Sequence, residues 1–357
     1  MTNKEHLLEK YGIEMWSDEK IIAFRKALLD WYDQEGRDHL PWRLNKDPYR
    51  IWVSEIMLQQ TQVKTVIPYF LRFVSLFPSI QALAEADEEV LLKAWEGLGY
   101  YSRVRNMQVA AQQIMTGYNG VFPDKPEDII QLKGIGPYTS GAIASMAFGL
   151  PEPAVDGNVM RVFSRLFEIG EDIAKPATRK LFELLVRIVI DPDRPGDFNQ
   201  AIMDLGTDIC GPVNPRPEES PIREFNAAYK NGTMALYPFK SKAKKPVPID
   251  LHGLVVRQGD AYLMEKRPTG GLLGDFWTFP LVDTVTEENK IGSFKHVFSH
   301  RRWQVTVHLL EDETNFKPEG NMKWVLEEEF ADYAFAVPQQ KMWEIVRKYD
   351  EKKYKSL

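Results

Sequence analysis

The segment LKGIGPYTSG, residues 132–141, decides the fold of the helical part of this chain. Residues 126–132 and residues 137–148 have the pattern of two helices, each opened by a proline. Between them, Gly134 and Gly136 allow a tight turn in which the backbone can approach another surface without a Cβ atom in the way. The turn and the start of the second helix present unpaired N–H groups, which favour an anion such as a nucleic-acid phosphate. Many helical hairpins use glycine, so a purely structural turn is the alternative.

The composition is that of a soluble globular protein long enough for two domains. The chain has 357 residues, of which 44% are hydrophobic and 27% charged, and its net charge is -6. Residues 1–16 are polar and charged, so we expect neither a signal peptide nor a membrane span. Cys210 is the only cysteine, which excludes an internal disulfide and fits a reducing cytoplasm. The negative charge argues mildly against nonspecific nucleic-acid binding, although backbone N–H groups or a local basic face would still allow phosphate contacts.

A glutamate within an apolar stretch is the first candidate for chemistry. Residues 49–63 have a helical pattern, and Glu55 shares one face with Trp52 and Leu58. A carboxyl group on an apolar surface is costly to ionise, so we expect its pKa to rise. A raised pKa is what a general acid needs near neutral pH. The alternatives are that Glu55 reaches solvent or pairs with an arginine.

A second carboxylate follows the glycine segment. Asp156, Gly157 and Asn158 open a further helix, whose apolar face is predicted from residues 159–166. As a plain N-cap, Asp156 would do no more than satisfy the first backbone N–H groups of that helix. The glycine turn alone does not decide between a structural and a functional role. The presence of Asp156 and Glu55 in the same chain favours the functional role.

Three further segments carry side chains suited to nucleic-acid contacts. In residues 40–43, Trp42 stands beside Arg43, which favours either a base-stacking wall with a donor or a loop anchor with a solvated cation. The polar residues 59–62 would fill a gap in a base stack or form a hydrated helix end. The glycine-flanked residues 97–101 present aromatic side chains that would wedge between bases or anchor the core.

The periodicity of hydrophobic residues changes from helical to extended near residue 249. Further helices are predicted at residues 18–32, 66–74, 79–86, 88–98, 103–116, 176–190, 197–210 and 222–229. Residues 231–248 contain several lysines and read as a basic linker. Beyond the linker, strands are predicted at residues 249–257, 261–266 and 302–309, and helices at residues 327–332 and 338–349. We therefore expect an all-α domain over residues 1–230 and an α+β domain over residues 249–357.

Together these motifs resemble the MutY-type adenine DNA glycosylases of the helix-hairpin-helix DNA glycosylase superfamily. The resemblance is carried by residues 40–43, 52–62, 97–106, 132–140, 154–161 and 298–300. It implies a multi-domain protein, with an all-α helix-hairpin-helix glycosylase domain and an α+β Nudix-like C-terminal domain. The implied partner is double-stranded DNA containing 8-oxoguanine:adenine or guanine:adenine mispairs. The implied protein is a bacterial-type monomer that acts in the cytoplasm on the nucleoid, with no membrane association.

The resemblance also assigns roles to the candidate residues. Glu55 is expected to protonate adenine N7, and Asp156 to stabilise the oxocarbenium ion of the sugar. This division of labour parallels glycoside hydrolysis, in which one carboxyl group is protonated and the other is charged. Tyr138 and Asn158 are expected to hydrogen-bond around these carboxylates. The adenine pocket is expected to contain Trp42, Arg43, Leu58 and Gln200, and the DNA contacts Gln60, Tyr100, Lys133, Gly134 and Gly136. Gln60 and Tyr100 would fill the base stack near the mispair.

Residue 138 distinguishes two subclasses of this superfamily. Bifunctional relatives, similar to endonuclease III, carry a lysine there that forms a Schiff base. This chain has Tyr138. We therefore expect base removal without a strong β-lyase step.

The C-terminal domain resembles the Nudix-like 8-oxoguanine reader of the family. Residues 281–293 are too short for the glutamate-rich Nudix helix, so nucleotide pyrophosphohydrolysis is not expected. The resemblance places Ser299 at the position that senses the N7 proton of 8-oxoguanine, with Phe298 and His300 on either side. These three residues form the expected recognition segment.

The sequence departs from the family at the iron–sulfur cluster. Relatives usually hold a [4Fe–4S] cluster through four cysteines spaced C-x6-C-x2-C-x5-C. Cys210 occupies the first place, but the other three hold Pro217, Ser220 and Asn226. One thiolate cannot retain the cluster, so we expect no cofactor and no metal, with the loop 210–226 held by packing of Ile222 and Phe225 instead. Two other functions stay open: a catalytically silent lesion-binding protein, and a glycosylase for another mispaired base.

Overall fold

The computed structural model describes residues 2–242, 245–285, 289–311 and 317–355, with side chains described as far as residue 353. The chain divides into two compact units. The first contains Met1–Glu85 and Arg105–Lys242, and the second contains Ala86–Val104 and Ala243–Leu357. In the described part of the chain, no helix is both long enough and apolar enough to cross a membrane.

The first unit is built almost entirely from helices. In chain order the helices of the molecule are α1 (Asn3–Tyr11), α2 (Asp18–Glu35), α3 (Pro48–Leu58), α4 (Val63–Leu76), α5 (Ile80–Ala84), α6 (Glu88–Ala94), α7 (Ser102–Gly117), α8 (Pro126–Ile129), α9 (Pro137–Phe148), α10 (Gly157–Phe167), α11 (Pro176–Val189), α12 (Pro195–Asp208), α13 (Ala227–Lys230) and α14 (Val337–Lys355). Helices α6 and α14 belong to the second unit, and the division between the units falls in the first turn of α7.

Local sequence explains where most of these helices begin. Ser17 caps α2 by accepting a hydrogen bond from the backbone N–H of Lys20. Helices α8, α9, α11 and α12 each have proline in their first turn, where its missing N–H costs nothing. Helix α1 was not predicted from the sequence. It is opened by a capping box from Thr2 and Glu5 and is anchored by the buried side chain of Leu7. The helix predicted at residues 222–229 is instead a 3₁₀ turn followed by the short α13.

A core of aromatic and aliphatic side chains holds α2, α10, α11 and α12 together. Phe24, Phe163, Phe182 and Phe198 are fully buried within it. Side chains of this size each remove a large apolar area from water, so they fix how these helices pack. This packing sets the positions of the N-terminus of α10 and of the inner face of α12, both of which line the site described below.

A glycine lets the chain pass close to α9. A Cβ atom at Gly141 would lie 1.9 Å from the carbonyl oxygen of Pro153, so no other residue fits there without a shift of the backbone. The segment that contains Pro153 leads directly into Asp156. The absence of a side chain at position 141 therefore brings Asp156 up to the helix that carries Tyr138.

The second unit is an α+β structure, which confirms the predicted fold class. Its strands are β1 (Val247–Gln258), β2 (Ala261–Lys266), β3 (Trp277–Thr278), β4 (Leu281–Val282), β5 (Lys290–Val297), β6 (Arg301–Glu311) and β7 (Met322–Leu326). Within the described residues they form one seven-stranded sheet in the order β3-β2-β1-β6-β5, with β4 on β1 and β7 on β2. β1 runs parallel to β6, and the other pairs are antiparallel. Residues 327–332 form a 3₁₀ helix, and α14 packs on the sheet through Met342 and Val346.

The division of the chain differs from the boundaries predicted from the sequence. Residues 86–104 join the second unit, because Glu96 accepts hydrogen bonds from the backbone N–H of Phe335 and from Gln340. Tyr101 also packs edge-on against Phe276, with ring centroids 4.3 Å apart. These contacts are long-range, so the helical periodicity of residues 88–98 carried no sign of them.

The described residues of the predicted linker, 231–242 and 245–248, are divided between the two units. Its first part belongs to the helical unit, since Ile173 donates its N–H to the carbonyl of Phe239 and Ser241 donates its N–H to Asp172. Its last part is the start of β1. The lysine-rich composition that suggested a linker therefore describes a surface segment, with the unit boundary between residues 242 and 243.

Candidate active site

Glu55 lies in the middle of α3, with its side chain enclosed by the helical unit. It is 5% exposed and accepts a 2.5 Å hydrogen bond from the Tyr138 hydroxyl. Burial raises the pKa of Glu55 to about 6, the charge of Asp156 adds to this rise, and the hydrogen bond from Tyr138 and the charge of Arg43 oppose it. The carboxyl group therefore keeps its proton up to about pH 6, well above the range of an ordinary glutamate, as the apolar face of α3 predicts.

Tyr138 stands in the first turn of α9, immediately after the glycine turn. Burial, with the charges of Glu55 and Asp156, raises the pKa of its phenol well above the ordinary value. The hydroxyl therefore keeps its proton at neutral pH and acts as a hydrogen-bond donor to Glu55. The glycine turn thus positions a side chain of the site as well as a set of backbone N–H groups.

Asp156 is the N-cap of α10 and at the same time a partner of Glu55. Its Oδ1 accepts a hydrogen bond of 2.8 Å from the Val159 N–H, and its Oδ2 accepts one of 2.8 Å from the Asn158 side chain. Burial raises the pKa of Asp156, whereas these hydrogen bonds hold it down. Capping α10 does not preclude an effect on Glu55, because the charge of the same carboxylate also raises the pKa of Glu55.

A chain of hydrogen bonds connects Asp156 to the loop after α12. Asn158 accepts a 2.6 Å hydrogen bond from Nη2 of Arg161, and the same nitrogen donates to the carbonyl of Gly206 at 2.7 Å. The Nε atom of Arg161 donates to the carbonyl of Cys210 at 2.8 Å. Arg161 therefore fixes the orientation of Asn158 and, through it, that of the Asp156 carboxylate.

Arg165, one turn further along α10, fastens the same loop. Arg165 is 4% exposed. Its Nη1 donates to the carbonyls of Cys210 and Gly211 at 3.1 and 3.0 Å. The Nε atom donates to the carbonyl of Tyr237 at 3.0 Å, and the Cys210 sulfur lies 3.2 Å from Nη1. One buried guanidinium thus joins α10 to two separate segments of chain.

The residues at the four cluster positions do not suit an iron–sulfur cluster. Cys210 is the one thiol among them, and its sulfur contacts Arg165. Ser220 accepts a hydrogen bond from the Ile222 N–H, and Asn226 caps α13 through the Tyr229 N–H. Among the residues that the structure describes, no group of three or more His, Cys, Asp or Glu side chains is placed to hold a metal ion. The loop positions 210–226 therefore carry ordinary structural contacts.

Packing and hydrogen bonds hold this loop against the helical core. Ile222 is buried in the core, and the ring of Phe225 packs edge-on against Phe24 with centroids 5.4 Å apart. This packing is what the sequence predicted for the two residues. The hydrogen bonds from Arg161 and Arg165 to the carbonyls of this loop were not predicted from the sequence.

Replacing Arg165 by methionine is expected to lower the free energy of unfolding of the helical unit by roughly 3 kcal/mol, because buried carbonyl oxygens lose their donors. Denaturant titration followed by circular dichroism measures this loss. Arg187→Met is the matched control, since Arg187 is 44% exposed and pairs with Glu152 at the surface. The control is expected to lose less than about 1 kcal/mol. Equal losses in the two variants would contradict a fastening role for Arg165.

The residues assigned to the adenine pocket occupy different environments. Trp42 is 4% exposed and packs edge-on against Phe70, so its ring face is covered in this structure. Arg43 is engaged in a bidentate ion pair with Asp204. Leu58 is half-buried at the end of α3. The half-buried Gln200 accepts a 2.5 Å hydrogen bond from the hydroxyl of Tyr32 through its amide oxygen. The amide of Gln200 is therefore held in one orientation.

The glycine turn has the geometry of an anion site. Gly134 has a φ of 79°, and a Cβ atom there would lie 2.7 Å from the Cβ of Asn106. Gly136 is the N-cap of α9 and offers no side chain to the first N–H groups of that helix. These N–H groups are available to a phosphate oxygen. Lys133 is exposed beside them, with its own N–H bound to Gln113.

Two of the expected DNA contacts adopt an unusual backbone conformation. Gln60 has a φ of 60° and Tyr100 a φ of 46°. Residues other than glycine rarely adopt a positive φ. Gln60 is exposed, and Tyr100 is 49% exposed. Strain of this kind persists at functional positions more often than elsewhere. Six other non-glycine residues of the described chain also have a positive φ, so the conformation alone does not mark a DNA contact.

The expected 8-oxoguanine segment forms the tip of the β5–β6 hairpin. Ser299 and His300 are both exposed at the turn. Phe298 anchors the turn, since its ring packs edge-on against Trp303 with centroids 4.8 Å apart and its N–H donates to the carbonyl of Arg301. In the described residues after β4, no helix precedes β5. The tip is therefore a turn anchored by Phe298, with two polar side chains exposed to solvent.

Four residues of the site were missed by reasoning from the sequence: Tyr32, Arg161, Arg165 and Asp204. Arg161 and Arg165 stand one turn apart on α10, and Arg165 interrupts an apolar stripe, which is the signal that could have singled it out. Asp204 is likewise a buried charge among apolar residues of α12. Tyr32 has no sequence signal, because an aromatic residue in an amphipathic helix is ordinarily a core residue.

Comparison with known proteins agrees with this geometry. Residues 53–187 match the model of the HhH-GPD superfamily of base excision DNA repair proteins, and residues 252–345 match the model of the NUDIX domain. A thermostable thymine-DNA glycosylase of known structure superposes with a TM-score of 0.55 and 26% identity, covering 60% of this chain and 98% of that one. The helical unit and its paired carboxylates thus define a helix-hairpin-helix base excision repair protein.

The relatives narrow this class. An adenine DNA glycosylase of Buchnera aphidicola is 35% identical and covers 92% of this chain and 99% of the relative. That of Rattus norvegicus is 33% identical, covering 92% and 79%. That of Arabidopsis thaliana is 34% identical, although this chain spans 58% of its length. The chain belongs to the adenine DNA glycosylase family of DNA N-glycosylases.

Proposed function

We propose that this protein excises adenine paired with 8-oxoguanine or guanine in duplex DNA, in a single base-removal reaction of base excision repair. The observation that carries the proposal is the buried Glu55, which is hydrogen-bonded to Tyr138 and sits within electrostatic reach of Asp156. The proposal is supported further by the adenine DNA glycosylases that match most of the chain.

Glu55 supplies the proton in this proposal. Adenine is a poor leaving group as an anion, and protonation at N7 lets it leave as a neutral base. Glu55 is suited to this step because its pKa of about 6 keeps part of the population protonated near neutral pH. Tyr138 donates to the second oxygen of the same carboxyl group, so it steadies the carboxylate that forms when the proton leaves.

Asp156 stabilises the sugar cation that remains. As the glycosidic bond breaks, positive charge develops at C1′ and the ring oxygen, and a fixed carboxylate nearby lowers the energy of that state. Val159 and Asn158 hold the two carboxylate oxygens from one side. Water then adds to C1′ and gives up a proton, for which the Glu55 carboxylate left by the first step is an acceptor.

We assign the DNA contacts to the glycine turn and to a few exposed side chains. We assign the phosphate contact to the N–H groups at Gly134 and Gly136 and to Lys133, because the turn carries no side chain that blocks them. Gln60 and Tyr100 are assigned to the space that a flipped adenine leaves behind. Flipping costs a few kcal/mol and costs least at a mismatch, so selectivity begins at this step.

A single-turnover excision assay tests the proposed function. Duplexes that vary both the excised base and the opposite base are incubated with excess protein, and released base is measured by chromatography. Adenine release from 8-oxoguanine:adenine duplex is expected. Tight binding without release of adenine would favour a silent lesion-binding protein, and release of a different base would favour another glycosylase.

The same assay tests the absence of a lyase step. With Tyr138 at the position where bifunctional relatives have lysine, strand breaks are expected only after alkali treatment. Borohydride is expected to trap no Schiff-base complex with DNA. A trapped complex would show that some other amine, such as that of Lys133, acts as a nucleophile.

Replacing Ser299 by alanine is expected to reduce the preference for 8-oxoguanine over guanine roughly three- to tenfold, the effect of one lost hydrogen bond. The preference is the ratio of excision rates on the two mispairs. Ser293→Ala is the matched control, because Ser293 is also exposed and lies on β5 of the same hairpin. An unchanged ratio in the Ser299 variant would refute the reader assignment.

The purified protein is expected to contain no iron–sulfur cluster, because Pro217, Ser220 and Asn226 offer no thiolate. Its visible spectrum is expected to lack absorption near about 400 nm, and iron analysis is expected to find no metal. Protein from cells grown with added iron and sulfide provides the control for incomplete loading. Iron that copurifies in a fixed ratio to protein would contradict the expectation.

A further inference from the structure

The ion pair between Arg43 and Asp204 is deeply buried beside the site. Nη1 and Nη2 of Arg43 donate to the two carboxylate oxygens of Asp204 at 2.6 and 2.9 Å. The two side chains are 10% and 3% exposed. Asp204 Oδ2 also accepts a 3.1 Å hydrogen bond from the backbone N–H of Arg37. One carboxylate therefore occupies both outer nitrogens of the guanidinium.

Helix α12, which carries Asp204, also contributes a residue to the surroundings of the acid. Met203, the residue before Asp204, has its sulfur 3.9 Å from the Tyr138 hydroxyl, which in turn donates to Glu55. The charged and titratable groups that act on Glu55 are Tyr138 from α9, Asp156 from α10 and Arg43 from the loop before α3. Arg43 is the one cation of this set.

A free guanidinium beside a buried carboxyl group would disable a general acid. It would pair with the carboxylate and favour its ionised form at all pH values near neutral. Removing a negative charge from the neighbourhood would act in the same direction. A negatively charged partner must therefore neutralise Arg43 if Glu55 is to deliver a proton.

We propose that Asp204 is a positioning residue for the acid step: it binds Arg43 at both outer nitrogens, neutralises its charge and so keeps Glu55 protonated. This inference rests on the proposed role of Glu55 as the general acid. A purely structural ion pair is the competing explanation. The two differ in their effect on pH dependence, because a structural defect lowers activity at every pH.

Asp204→Asn keeps the shape of the side chain and removes its charge. The basic limb of the pH–rate profile of adenine excision is expected to move down by roughly one pH unit. Activity at about pH 8 is then expected to fall about tenfold, with little loss at about pH 5. Asp208→Asn is the control, because Asp208 lies one turn along α12 and pairs with Arg37 at the surface. The basic limb of the pH–rate profile of Asp208→Asn is expected at the same pH as in the wild type.

A second variant separates charge from structure. Arg43→Met combined with Asp204→Leu removes both charges, and its basic limb is expected at or above the wild-type position. A uniform loss in Asp204→Asn, or a double variant whose limb also moves down, would overturn the proposal. If Asp204→Asn does not fold, as judged by circular dichroism, the double variant alone decides by the same criterion.

A direct titration separates this inference from the proposed function. Carbon-13 NMR of labelled glutamate, with Glu55→Gln to identify the signal, reports the ionisation of Glu55 without any substrate. A lower midpoint in Asp204→Asn than in the wild type is expected, and an equal midpoint would overturn the inference. Failure of the wild type to release adenine would refute the proposed function without changing this titration.

Discussion

Glu55→Gln is expected to slow adenine excision about 10²–10⁴-fold, the range that general acid catalysis contributes. Glutamine keeps an acceptor for the Tyr138 hydroxyl but has no proton to give to adenine. The excision rate of the wild type is likewise expected to fall as the pH rises through about 6, because Glu55 ionises there. Single-turnover rates on 8-oxoguanine:adenine duplex, measured across pH, test both expectations.

The Glu55→Gln variant is expected to remain folded and to bind DNA. The folded state holds the Glu55 proton more tightly than the unfolded state, since the pKa rises from 4.5 to about 6. The wild type therefore loses stability as the pH rises through this window, by about 2 kcal/mol, and the glutamine variant does not. Glu183→Gln is a matched control, because burial also raises the pKa of Glu183. A near-normal excision rate in the Glu55 variant would remove this residue from the mechanism.

Asp156→Asn is expected to lower the excision rate about 10²–10³-fold, as when one group that stabilises developing charge is removed. Asparagine still accepts the hydrogen bond from Val159, so α10 keeps its N-cap. It offers no negative charge to the sugar cation. Loss of rate with retained DNA affinity, measured by fluorescence anisotropy, is the expected combination.

The capping function of Asp156 requires its own control. Asp87→Asn changes the carboxylate that caps α6 through Glu89 and Val90, so it measures what the same substitution costs a helix N-terminus. That variant is expected to excise adenine at the wild-type rate. If the Asp156 variant lost no more activity than the Asp87 variant, Asp156 would be a cap and nothing else.

The hydrogen bonds behind Asp156 explain how a loop without cluster cysteines can support the site. Arg161 holds Asn158, and both Arg161 and Arg165 hold the carbonyl of Cys210. Backbone carbonyls are present whatever the side chains are. Changes at positions 217, 220 and 226 therefore leave this support of Asp156 in place.

The glycine turn, the apolar face around Glu55 and the cap at Asp156 could be predicted from the sequence, because each depends on neighbours within one or two helical turns. Helix α9 begins and ends at the predicted residues. The raised pKa of Glu55 followed from an apolar stripe alone. That three of the four cluster positions carry no thiol follows from the sequence alone.

The tertiary structure alone decided which charges meet. Arg43 and Asp204 are 161 residues apart in the chain, and no local pattern pairs them. The same holds for Arg165 with Tyr237, and for residues 86–104 with the second unit. Local sequence fixes propensity, capping and turn geometry, whereas the pairing of buried charges depends on how distant helices pack. For this protein the sequence determined the two carboxylates, and packing determined the groups that set their protonation.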